Sequence, residues 1–145
     1  MDQRLILTVP FIAHLVSGLL FVLADATVSV EFTEGQPAFL ALVTYFIPLF
    51  AFFLIWLKNY EYGTPLLVGS TLVSAWFIVY FFFVHENPGN VAAVSGDGDL
   101  VYVSAIVSML VTCLVVAGIG LLIWYGEDDR FRSAVDRVIR PPSSR

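Results

Sequence analysis

The sequence predicts an all-α integral membrane protein: an antiparallel four-helix transmembrane bundle with a short C-terminal amphipathic helix. Three observations lead there. Four apolar runs, at about 5–24, 38–57, 64–84 and 100–125, contain no Asp, Glu, Lys or Arg. Each reaches the roughly 20 residues that a helix needs to cross a hydrocarbon layer about 30 Å thick. The composition agrees: 59% of residues are apolar and 13% charged, where a soluble domain has about a quarter charged. The third observation is where the positive charges fall. Arg4 precedes the first run, Lys58 lies between the second and third, and five arginines follow the fourth. The segments 25–37 and 85–99 hold none. Short loops carrying Lys and Arg stay on the cytoplasmic side. This places both termini inside, requires an even number of spans, and leaves an acidic exterior of Asp25, Glu31, Glu34, Glu86, Asp97 and Asp99. The expected division is a four-span domain at 1–126 and a cytoplasmic tail at 127–145, in the cell (plasma) membrane.

Span one, Leu5 to Ala24, is longer than the roughly 7–15 apolar residues of a secretory signal and follows a single positive charge, so it reads as a retained span. The loop after it alternates Val28, Val30 and Phe32 with Ser29, Glu31 and Thr33, a pattern that suits a short half-buried strand. Span two is rich in aromatic residues, and Pro48 near its middle predicts a kink. The link Lys58–Gly63 is short enough to make spans two and three antiparallel neighbours. Thr64-Pro65 opens span three, and His85-Glu86-Asn87-Pro88-Gly89-Asn90 closes it. The stretch 91–103 has the composition of a hairpin around Gly96-Asp97-Gly98, but a cap on span four by Asp97 or Asp99 fits better, because a hairpin would consume the start of a strong span.

Span four, Leu100 to Tyr125, is 26 residues without a charge. Ser104, Ser108 and Thr112 recur every fourth residue and so share one helical face. Ser70 and Ser74 repeat the spacing in span three. Small residues at this interval allow close helix approach, and the two stripes are expected to face each other. In the tail, Phe131, Ala134, Val135, Val138 and Ile139 fall on one face, with Arg130, Arg132, Asp136, Arg137 and Arg140 around the rest. That is an amphipathic helix suited to the membrane surface, stopped by Pro141-Pro142.

His14 is the one imidazole placed in mid-span, about 14 Å beyond Leu5 at roughly 1.5 Å per residue. By the same count Ser74, Ser108 and Thr112 share its layer and Tyr45 lies slightly further out. An ionisable residue at that depth suggests a proton relay or ligand contact; a neutral histidine bonded to neighbouring hydroxyls and fixing the packing is the simpler expectation.

Other chemistry is excluded by what is missing. Cys113 is the sole cysteine, so no intrachain disulfide or zinc cluster forms. His85 is too far in depth from His14 for the pair to hold a haem. No zinc-binding histidine pair, phosphate loop or supported catalytic triad is present. No cofactor, metal or nucleic-acid partner is expected, and enzymatic activity has no support. Arginine outnumbers lysine six to one, which, with the acidic loops, fits a high-salt or GC-rich prokaryote. Two functions stay open. The first is a non-enzymatic accessory or scaffold subunit, packing with itself or a larger membrane partner. The second is a small proton-linked transporter or carrier using His14.

Overall fold

The structure, a computed structural model, describes residues 3–28, 30–33, 35–96 and 98–139. Every regular element among them is helical: α1 (Gln3–Val28), α2 (Gly35–Phe39), a π-helical segment (Leu40–Phe46), α3 (Ile47–Trp56), α4 (Tyr60–Val79), a second π-helical segment (Tyr80–Val84), α5 (Asp99–Glu127) and α6 (Asp129–Ile139). Four continuous stretches, Gln3–Val28, Gly35–Trp56, Tyr60–Val84 and Asp99–Glu127, are long and apolar enough to cross a membrane. Three of them contain one of the apolar runs with extensions of up to four residues at the ends, and the second, beginning three residues early, stops at Trp56, one residue short of its run.

The helix α5 is central: it packs along both α1 and α4, and α4 packs along α3. Its buried residues include Tyr102, Ile106, Met109, Cys113, Val116 and Ile123, spaced at threes and fours as a single helical face requires. On α1 the buried face is Leu7, Phe11, His14, Ser17, Phe21 and Ala24. Its apolar members divide between two cores. Phe21 and Ala24 join Phe82, Tyr102, Ile78 and Met109 in one; Leu7 and Phe11 join Ala51, Ile55, Leu67 and Val116 in the other. His14 and Ser17 lie between them, so a polar layer separates two apolar clusters. The outward faces are also apolar, with Val9, Leu19, Leu42, Phe46 and Leu122 more than half exposed, the surface that lipid contact suits.

The turn between α3 and α4 shows how little chain a helix reversal needs. Asn59 N–H bonds to Leu54 O at 2.8 Å and Lys58 N–H to Ile55 O at 2.9 Å, the paired bonds of a Schellman motif. Lys58 holds the left-handed position, φ 62°, which glycine normally fills. Five residues later in the same joint, a Cβ on Gly63 would stand 2.8 Å from Ile55 and 3.1 Å from Ala51 O, so glycine permits the α3–α4 contact.

No strand occurs among the described residues. The alternating stretch 28–33 does not become one because α1 continues through Val28, and no second strand lies alongside to pair with it. Val30 and Phe32 instead pack onto the first core. Phe32 meets the rings of Phe21, Phe81 and Phe82 at 6.0–6.4 Å between centroids. The segment after the second π-helix is fixed by side chains bonding to backbone. Asn87 Nδ2 donates to Phe81 O at 2.7 Å and Asn90 Nδ2 to His85 O at 2.9 Å. Buried Tyr102 donates its hydroxyl to Gly89 O at 3.0 Å, tying this loop to α5.

Candidate functional site

Pro48 starts the local chain of causes. It has no N–H, so the carbonyl four residues earlier, on Thr44, lacks its α-helical donor. The backbone before it winds as a π-helix over Leu40–Phe46. Into this opening α1 presents His14, whose side chain is fully buried. His14 Nε2 lies 2.8 Å from Thr44 O. A carbonyl can only accept, so Nε2 carries the proton and, in the neutral ring, Nδ1 is the acceptor. Nδ1 faces the Thr112 hydroxyl at 3.2 Å and the Cys113 thiol at 3.9 Å, both on α5. One imidazole thus joins three of the four long apolar stretches.

The surroundings extend the network. Ser17 Oγ lies 3.1 Å from Thr112 Oγ1 and donates to His14 O at 2.7 Å. Thr112 is also within reach of Ser108 O and Met109 O, at 2.9 and 3.0 Å. The Tyr45 ring stacks on His14, 4.9 Å between centroids and 20° between planes. That stack needs Gly18: a Cβ there would stand 2.5 Å from the Tyr45 ring.

Of the residues expected to share this layer, His14, Tyr45 and Thr112 meet directly. Ser108 contributes its carbonyl, while its side chain lies with that of Ser104 in a groove against Leu20, Ala24 and Thr27 of α1. Ser74 is buried, but its hydroxyl has no hydrogen-bond partner. The stripe on α5 therefore faces α1 where it makes contacts, and not Ser70 and Ser74. The Ser70 hydroxyl is occupied by its own helix, donating to Leu66 O at 2.7 Å. A spacing of four fixes a shared face but not the neighbour it meets. Sequence reasoning missed three participants: the Thr44 carbonyl, Ser17 and Cys113. The signal for the first was present, since Pro48 marks the residue four positions earlier.

The tail residues form a second polar joint. Asp128 caps α6, its Oδ1 accepting from Arg130 N–H at 2.8 Å and Phe131 N–H at 2.9 Å. Its Oδ2 accepts from the Trp124 indole at 3.2 Å. The Phe131 N–H bond is the chief cause holding the Asp128 carboxyl below the usual carboxylate range. Phe131 stacks on Trp124 with centroids 4.0 Å apart. Arg132 reaches back to the carbonyls of Tyr125, at 3.0 Å, and Gly126, and Tyr125 donates to Asp136 at 2.8 Å. Val135 is half-buried, and Arg137, Val138 and Ile139 are exposed. Arg140 lies outside the described residues, as do Glu34 and Asp97 of the acidic segments. Among the described residues no three His, Cys, Asp or Glu side chains gather as a metal site would require.

Comparison of the chain with known protein families, characterised proteins and solved structures yields no match.

Proposed function

We propose that the protein is a small membrane protein acting as a non-enzymatic accessory or scaffold subunit, one that packs with itself or with a larger membrane partner. The observation that carries this reading is the commitment of His14. Both ring nitrogens are directed at groups on other helices, Thr44 O and Thr112 Oγ1. A histidine so placed clamps helices together; a proton carrier needs a nitrogen that can reach water or substrate. The four spans form an antiparallel bundle at 1–126 in the plasma membrane, with both termini cytoplasmic. The seven-to-zero distribution of Lys and Arg supports that orientation. The layer of His14, Tyr45, Ser74, Ser108 and Thr112 and the small residues Ser70 and Ser104 serve packing. The tail 127–145 lies on the inner membrane surface, with Phe131, Val135, Val138 and Ile139 toward the acyl chains and Arg132, Arg137 and Arg140 toward headgroups.

The test separates this role from a proton-linked carrier. Wild type and His14→Leu are reconstituted in vesicles containing a pH-sensitive dye, and each is also isolated in mild detergent. Equal proton leak under an imposed potential, with the native assembly weakened by His14→Leu, is the expected outcome. Proton flux that disappears with His14 while assembly stays intact replaces the scaffold with the carrier.

A further inference from the structure

Beside the His14 layer, between α1 and the span-two helix, lies a groove of about 500 Å³. This is within the roughly 300–1,000 Å³ of small-molecule sites. We infer that it is a binding site for a single-chain amphiphile with an ammonium head, the head at Asp25 and the chain running toward Tyr45.

The walls carry no charge: Leu15, Leu19 and Val22 on one side, Leu40, Ala41 and Phe46 on the other. Among the described residues, Asp25 is the sole charged one lining the groove. One of its carboxylate oxygens is enclosed, but the side chain as a whole is half-buried and meets the groove. The chain supplies no counter-charge nearby in sequence, since residues 25–37 and 85–99 contain neither Lys nor Arg. They do contain further carboxylates, and these add to the negative potential at this end. A cationic head is therefore the group that complements this end of the groove.

The shape of the groove selects the rest of the ligand. From Leu15 to Asp25 is ten residues of helix, about 15 Å at roughly 1.5 Å per residue. That is a long, narrow, apolar path, suited to one extended alkyl chain. Tyr45 closes the deep end, its ring seated on Gly18. Its hydroxyl is enclosed, so the floor is aromatic carbon. This site overlaps the His14 layer only at Tyr45; Asp25 and the walls lie outside the hydrogen bonds that hold His14.

The full chain in an uncharged detergent is titrated with dodecylamine, with dodecanol as the uncharged control, and retained ligand is counted by native mass spectrometry. One dodecylamine per chain is expected, with dodecanol held about tenfold less tightly. Asp25→Asn is expected to weaken dodecylamine about tenfold, the order expected for losing a charge-assisted bond. Ala41→Trp and Val22→Trp, two exposed groove residues on opposite walls, each fill the path and abolish retention. Val111→Trp, exposed on α5 and outside the groove, leaves it unchanged. Dodecanol binding as tightly as the amine, or undiminished binding in Asp25→Asn or in both groove-filling variants, overturns the assignment.

Discussion

The His14 layer and the joint between α5 and α6 are built from the same parts in different surroundings. In each, side chains take up backbone groups that a helix has left open. At the first, Pro48 strips Thr44 O of its donor and His14 supplies another. At the second, α5 ends and α6 begins within one residue. Arg132 takes the carbonyls of Tyr125 and Gly126, and Asp128 takes two N–H groups of α6. The surroundings differ: His14 is 0% exposed, whereas the side chains of Arg132 and Asp129 are 40% and 93% exposed. Water can replace any bond lost at the second joint and none at the first. The net value of a hydrogen bond is small where water competes, and the cost of an orphaned group is large where water cannot enter. Similar bonds should therefore differ in consequence, and substitutions at three positions test that.

The largest effect belongs to His14→Leu. It leaves Thr44 O without its side-chain donor and removes the link to Thr112, for an expected loss of about 2 kcal/mol. Denaturant titration in mixed micelles measures it. His14→Gln keeps an amide donor able to reach Thr44 O and should recover about half. A loss for His14→Leu no greater than that of removing the α6 cap would erase the contrast between buried and exposed joints.

Pro48→Ala sharpens the cause. It restores an N–H that can serve Thr44 O along the helix, so His14 becomes less necessary. In a double-mutant cycle, His14→Leu should cost about 1 kcal/mol less in the Pro48→Ala background than in the native one. Strict additivity would separate the histidine bond from the proline.

These two residues also mark how far the sequence could be read. The four long apolar helices were legible because the signal is an apolar run of about 20 residues, and nothing local competes with it. His14 stood out as an imidazole in such a run. What was not legible was its partner. Thr44 contributes a backbone carbonyl, which every residue possesses, and only the proline at position 48 distinguishes that one. The stripe Ser104, Ser108 and Thr112 was visible for the same reason that it was ambiguous. Periodicity within a helix reports a face, and which neighbour lies opposite depends on how the helices pack. The alternation at 28–33 left a strand open without requiring one, and the helix boundary decided against it: α1 runs through Asp25 to Val28, since a carboxylate near the end of a long helix does not stop it. That the tail would form a helix was clear from the spacing of Phe131, Val135, Val138 and Ile139, because an amphipathic pattern is a local signal.

The smallest effect concerns Asp128, and its sign follows from that cap. The folded carboxyl titrates below its ordinary value, chiefly through the Phe131 N–H, with the Trp124 indole and Arg130 acting in the same direction. A lowered folded value means that the charged form is favoured by folding. The contribution is present above the ordinary carboxylate value, about 3.9, and is lost as the pH falls through the lowered one. Amide protection of residues 129–139 should therefore be flat from about pH 8 to 5 and decline below about 4. Asp128→Asn retains a good capping group that does not titrate, so its protection should lose this acid limb. Asp128→Ala should reduce protection across the whole range. In all three proteins the change should be confined to α6, while amides around His14 stay protected. An acid limb that persists in Asp128→Asn would move the titration to Asp129 or Asp136 and leave the cap without a measurable share. Spread of the loss into α1 or α5 would mean that the exposed joint is coupled to the buried one, and that water does not shield the bundle from its tail.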